Sequence, residues 1–339
     1  MKLSTCIHQF ISQYLTHIKG VSENTIKAYR DTFTLFLPFA AQHLSIKVDS
    51  IRVDHLTPKL ILAFLKYIET KRNNTARTRN HRLAVFKSLA KMLLLMVSEH
   101  KEIAEKIINI PEKRTQRPLV GFLYQEEILK IVETVNIKKK EGLRDFTLLH
   151  LLYDSGARAS EIASLKLDYF NPENKTLAIL GKGNHYRQIL IWDKTVQLLK
   201  LYIASYRREP KPFHQNILFI TQRGEGFTRH GIHRVCKKYL LKALPKKRFK
   251  ELDPVHCFRH SRAVQMLSSG SPISDIKNHL GHQNIQSTMV YLHLNLSQKK
   301  QVQKKFIQYT KSLLMDDPKI EELLDWENKE EILSWLDSL

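Results

Sequence analysis

Little in this chain could cross-link it. The three cysteines, Cys6, Cys236 and Cys257, are odd in number and form no C-x-x-C pair, which excludes a disulfide framework and the common zinc ribbons and fits a reducing cytoplasm. Glycine and proline are scarce, 11 each in 339 residues, or about 3% against averages near 7% and 5%, so long helices are expected rather than a barrel or sandwich. No apolar run approaches the roughly 18 residues of a membrane span, and the longest, 92–97 and 148–153, are short enough to be helix cores. The opening MKLSTCIHQF is broken by His8 and Gln9 and holds no export-signal core, so no membrane partner and no export are expected. Acid is also short: 33 Asp and Glu face 55 Lys and Arg, and a formal charge of +22 makes nucleic acid the leading partner. The deficit is uneven. Residues 316–339 carry nine carboxylates against Lys319 and Lys329, a net −7, which leaves the preceding residues at +29 and marks the tail as a separate functional piece.

The length fits two domains. Ser22 opens a helix whose apolar residues Ile26, Tyr29, Phe33, Phe36 and Leu37 recur at helical spacing. Thr57 followed by Pro58 signals a second helix start, and Asn74 or Thr75 a third, with Leu83, Phe86, Ala90 and Leu93 on its apolar face. Arg77, Arg79, Arg82 and Lys87, with Lys91, are expected off that face as phosphate contacts. The prolines and charges of NIPEKRTQRPL, 109–119, read as a linker between a domain at 1–108 and one at 120–300, with a C-terminal tail from 301. Beyond the linker helical patterns dominate, except for a hairpin over 176–192 with Gly181 and Gly183 in its turn and an apolar run, NILFIT, at 216–221.

Several charged residues sit at helix ends. Arg158 falls in the break after an apolar helix that stops at Gly156, and Glu161, three residues on, is placed to orient it by a bidentate pair. Lys182 lies at the tip of the GKGN turn; no G-x-x-x-x-G-K-[ST] string exists, which excludes a P-loop. Asp253 and Pro254 begin a helix in which His256 and Arg259 share one face near the N-terminus, where the dipole favours an anion. His256 and His260 are four apart, a spacing a metal can use, but no H-E-x-x-H and no second cysteine cluster accompany them, so no metal is expected. His282 follows a helix that ends at Gly281, and Tyr291 lies nine residues later.

Taken in order, Arg158 in YDSGARASEIASL, Lys182 in GKGN, His256 and Arg259 in HCFRH, His282 in LGH and Tyr291 in TMVYLH resemble the signatures of the tyrosine recombinase (integrase) family, with weaker agreement over SENTIKAYRD at 22–31. The resemblance implies a mainly α fold: an N-terminal helical core-binding (SAM-like) domain and a mostly helical catalytic domain with a small antiparallel sheet. It implies that Tyr291 attacks a DNA phosphodiester, that Arg158 and Arg259 grip the nonbridging oxygens, and that His282 adds a donor. His256 would act as base and Lys182 would protonate the departing 5′-oxygen, with no ATP or other cofactor. The implied partners are duplex DNA bearing paired core sites and three further copies of the chain in a tetramer; the residues do not say whether accessory proteins take part. The 48 residues after Tyr291 exceed those of compact Xer-type recombinases, so a mobile-element integrase is expected, with Xer-type resolution, type IB topoisomerase-like relaxation and a non-catalytic DNA-binding regulator as alternatives.

Overall fold

The computed structural model describes residues 1–115, 121–181, 183 and 185–294. It divides into two compact units, 1–118 and 119–339, and both are built mainly of helices, as the composition leads one to expect.

In the first unit α1 (Leu3–Gln9) runs into a wider helical segment, Phe10–Ile18, followed by α2 (Glu23–Leu44), α3 (Pro58–Thr70), α4 (Ala76–Met96) and α5 (Lys101–Ile108). Capping chemistry fixes two of the starts: Thr57 Oγ1 accepts from Leu60 N at 3.2 Å and Thr75 Oγ1 from Thr78 N at 3.3 Å. Ser22 precedes α2 without such a bond, its hydroxyl meeting Thr25 Oγ1 instead. The core is aromatic. Phe36 meets the rings of Phe86 at 4.8 Å and Phe64 at 5.2 Å edge to face, the geometry ring quadrupoles prefer. Each fully buried ring contributes about 1.5–3 kcal/mol relative to exposure.

Two expectations need correction here. Arg79 is 5% exposed, and its Nη1 donates to the Pro111 carbonyl at 3.3 Å and to Asn80 Oδ1 at 3.0 Å, so it braces the chain inside the unit rather than facing phosphate. Its position explains this, because 79, 83, 86 and 90 fall on one helical face with buried Leu83, Phe86 and Ala90. Arg77 is exposed, Lys87 half-buried, and Arg82 half-buried with Nη1 on Thr32 Oγ1. The segment expected as linker also starts too early. Ile110 joins the core, and Lys113 pairs its backbone with the Asn80 side chain and its ammonium with Glu69, so residues up to 113 belong to the first unit.

The second unit wraps helices around α7 (Lys140–Ser155), whose Leu148, Leu149, Leu151 and Leu152 are buried. Before it comes α6 (Gln125–Glu133), and after it α8 (Ala159–Ala163). A three-stranded antiparallel sheet in the order β1 (Phe170–Asn171), β2 (Thr176–Leu180), β3 (Tyr186–Leu190) holds the expected hairpin. NILFIT forms only isolated bridges, Lys166↔Ile217 and Ile220↔Gly226; Leu218, Phe219 and Ile220 are buried, but its backbone joins no strand. Then follow α9 (Asp193–Leu201), α10 (Arg229–Ala243), α11 (Lys246–Phe249), α12 (His256–Ser268), α13 (Ile273–Leu280) and α14 (Gln286–Met289), with Tyr291 in a 3₁₀ turn, Val290–Leu294. Buried Asp154 at the end of α7 caps α9, accepting from Trp192 N at 2.8 Å and Thr195 Oγ1 at 2.7 Å. Arg262, which also stacks on Trp192, lies 3.5 Å from its other oxygen.

Candidate active site

Helix ends place most of the sequence-predicted residues. Gly156 stops α7 in the left-handed region at φ +58, a turn that only glycine makes without strain, and two residues later Arg158 is the N-cap of α8. Glu161 reaches back to it: Oε2 accepts from Arg158 N at 2.9 Å and Oε1 from Arg158 Nη1 at 2.7 Å. Burial alone would raise the Glu161 carboxyl, but hydrogen bonds and charge from Arg187, then from Arg158, outweigh it and hold it below the usual carboxylate range.

Arg259 binds the site together. It is 3% exposed on α12, with Nη1 on the Gly156 carbonyl and Nη2 on the Leu280 carbonyl, both at 2.7 Å. Those carbonyls lie two residues before Arg158 and two before His282, so one guanidinium staples the segments that carry both. Burial, then Arg158, draws its pKa down to about 9, which still leaves it charged at neutral pH. At the start of the same helix Asp253 Oδ1 accepts from Val255 N and His256 N. His256 then stands exposed in a cleft of about 200 Å³ with Arg158, Arg229 and His233. The two cationic or ionisable side chains on α10 carried no motif and were not singled out in the sequence.

Gly281 ends α13 at φ +66, and His282 follows with Nδ1 2.8 Å from Thr288 Oγ1. Tyr291 is 2% exposed, packed with Ala263, Leu267, Ile276 and Leu280, and its hydroxyl lies 2.8 Å from His260 Nδ1. The base expected from the sequence, His256, is not the residue that touches the hydroxyl in this arrangement. His260 was legible only as the fourth residue after His256; the two ring centroids are 6.1 Å apart. Burial raises the Tyr291 pKa, with Arg259 and Arg158 pulling it back, so the hydroxyl keeps its proton at neutral pH. Lys182 and the acidic tail lie outside the described residues. Among the described residues no group of three His, Cys, Asp or Glu is placed to hold a metal ion, and no helix is long and apolar enough to cross a membrane.

Three histidines give the unit a pH dependence. Burial, reinforced by neighbouring cations and, for His260, by His256, lowers His260, His279 and His282 to about 4 from the ordinary imidazole value of 6.5. Folded, they stay neutral down to about pH 4; unfolded, they take up protons below about 6.5. Their stabilising contribution is therefore full above about pH 6.5 and is lost as pH falls toward 4. The thermal midpoint is expected to be flat from pH 8 to 7 and to fall below about 6.5. A midpoint unchanged down to pH 5 would contradict these neutral burials.

Comparison with known proteins places the chain in a family. Residues 121–298 match the phage integrase family, and residues 7–95 match the phage integrase N-terminal SAM-like domain. A Sinorhizobium fredii protein described as an integrase/recombinase, y4rC, is 30% identical over 300 residues, covering 88% of this chain and 89% of its own. The tyrosine recombinase XerD of Staphylococcus haemolyticus is also 30% identical, over 87% of this chain and 97% of its own. Among solved structures, the Tn1549 transposon integrase in complex with a circular-intermediate DNA superposes with a TM-score of 0.65 at 18% identity, over 84% of this chain and 93% of that one. The XerH recombinase bound to palindromic difH substrate does so at 0.63 and 20%, over 82% and 78%. The structural likenesses carry the fold, and the sequence matches carry the lineage: the chain belongs to the phage integrase family and is a tyrosine site-specific recombinase.

Proposed function

We propose that this recombinase cuts and rejoins duplex DNA through a covalent link to Tyr291. The tyrosine oxygen bonds to phosphorus, the bond from phosphorus to the 5′-oxygen breaks, and the freed 5′-hydroxyl attacks the corresponding link on a partner strand. Each bond broken is matched by one formed, so the exchange needs no external energy source. The observation that carries this reading is the Arg259 staple, which gathers the Arg158 and His282 segments on the helix that also bears His256 and His260. Phosphoryl transfer needs charge stabilisation above all, and planar guanidinium groups match phosphate oxygens. His282, neutral at working pH, offers an Nε2–H to the phosphate when the Thr288 hydroxyl donates to its Nδ1. Lys182 delivers the proton to the departing 5′-oxygen.

Two histidines bear on the tyrosine proton. His260 holds the hydroxyl in the resting arrangement, and His256, in the cleft with Arg158, is the base once phosphate is engaged. His256→Gln is then expected to slow single-turnover cleavage by roughly 10²-fold or more, and His260→Gln by less. The reverse order of effects would give the base to His260.

On the first unit Arg77, Arg82 and Lys87 serve the DNA backbone, and on the second Arg229 does. Four protomers act on two core sites in the cytoplasm, and the exchange serves a mobile element. The test is strand exchange between paired sites cloned from the DNA flanking its gene. Recombination there, lost together with synapsis but not with single-site binding when the chain is cut after Met315, is the expected result. Recombination confined to a chromosomal resolution site would give the Xer-type role instead.

A further inference from the structure

One arginine outside the expected set crosses three segments that the proposed chemistry needs together. Arg187 stands on β3, opposite Ile179 of β2, on the strand that follows the turn after Gly181. Its Nη1 and Nη2 donate to Glu161 Oε1 at 3.2 Å and Oε2 at 2.8 Å, and its Nε donates to the His279 carbonyl at 2.9 Å. Glu161 is the carboxylate that also accepts from Arg158, so one anion is shared by two guanidinium groups. The Arg187 side chain is 11% exposed, too enclosed to serve as a surface phosphate contact.

The backbone around it is shaped to admit that guanidinium. At Gly281, where φ is +66, a Cβ would lie 2.9 Å from Arg187 Nη1 and 3.0 Å from its Cδ. At Gly181 a Cβ would meet only ordinary contacts, 3.5 Å from the same Nη1 and 3.7 Å from Glu161 Oε1, so the close approach is at Gly281. The glycine that ends α13 thus lets the chain pass close against the Arg187 side chain, an approach that an ordinary surface ion pair does not require.

The sharing has a consequence for Arg158. A carboxylate facing a single arginine can take both arms of its fork, the geometry that binds most tightly. With Arg187 occupying both oxygens, Glu161 holds only one Arg158 Nη and the backbone N–H, and the rest of the Arg158 fork remains available. One carboxylate between two guanidinium groups also leaves a net positive charge, suited to an incoming phosphate.

We infer that Arg187 is a positioning residue for DNA cleavage: it holds Glu161 so that Arg158 presents its remaining donors to the phosphate, and it ties that carboxylate to the α13 end that presents His282. This rests on the function proposed above. The test is a mutant cycle on a nicked duplex that traps the covalent adduct, with single-turnover adduct formation, DNA affinity and thermal midpoint measured for Arg187→Gln and Arg187→Lys in the parent and Arg158→Ala backgrounds. Arg187→Gln is expected to bind DNA within about three-fold of the parent and to cleave roughly 10²-fold more slowly. Arg187→Lys keeps the charge but not the planar fork, and is expected to recover less than about ten-fold of that loss. In the Arg158→Ala background the same change is expected to cost about ten-fold or less, the part that runs through Arg158 being gone and only the tie to the α13 end remaining. Parent-like cleavage by Arg187→Gln, or the same penalty in both backgrounds, overturns the inference. Should the Gln variant fail to fold, the Lys variant in the two backgrounds supplies the same comparison. Failure of the underlying function shows separately, as a parent protein that traps no adduct.

Discussion

Arg259→Ala is expected to cleave DNA at least roughly 10²-fold more slowly than the parent, the scale of losing a transition-state donor. Two effects act together. On the proposed mechanism the truncation removes a charge beside the reacting phosphate, and it releases the Gly156 and Leu280 carbonyls, so the segments bearing Arg158 and His282 lose their common tether. Leaving two buried carbonyls without a donor costs stability as well, about 1–3 kcal/mol each where water cannot reach them. Binding of a single DNA site is expected to change little beside the many other cations of the chain. Single-turnover cleavage with saturating protein separates the two quantities. Parent-like cleavage by Arg259→Ala would detach this residue from the site. Arg259→Lys is expected to remain strongly impaired, since a single ammonium cannot span both carbonyls as the fork does.

Tyr291→Phe is expected to abolish covalent adduct formation while DNA affinity stays within about two-fold, because one hydroxyl counts for little among many phosphate contacts. The ring remains to fill the pocket formed by Ala263, Leu267, Ile276 and Leu280, so the fold persists and only the hydrogen bond to His260 is lost, at about 0.5–1.5 kcal/mol. A denaturing gel with a nicked suicide substrate reads the adduct directly. Adduct of normal yield from the Phe variant would remove Tyr291 as nucleophile.

The local parts of this architecture were the legible ones. Thr57 and Thr75 announce α3 and α4 because a cap satisfies backbone donors within a few residues, and Gly156 and Gly281 announce helix ends because only their own φ matters. The parts that needed tertiary context were missed, although periodicity held a signal for some. Arg79 lies four residues before Leu83 and seven before Phe86, which puts it on the apolar stripe; its charge suggested solvent, and its partner, the Pro111 carbonyl, is remote in sequence. Arg187 alternates with Ile189 on the inward side of β3, yet only the folded chain brings Glu161 and the His279 carbonyl to it. His260 shares a face with Ala263 and Leu267, and its role at Tyr291 depends on a packing across 31 residues that no local pattern encodes. NILFIT shows the opposite failure: a short apolar run meets the burial demand of a strand without acquiring a partner strand.

Phosphoryl transfer to Tyr291 amid its cationic surroundings is tested most directly by trapping the full-length protein on a nicked duplex in EDTA, digesting the adduct and identifying the modified peptide. On the proposed mechanism arginine, lysine and histidine side chains supply the charge that divalent ions supply in metal nucleases. The predicted result is a phosphotyrosyl peptide containing Tyr291, formed at full yield in EDTA. An adduct that appears only on addition of Mg²⁺ or Mn²⁺, or a link mapped to another residue, would contradict it.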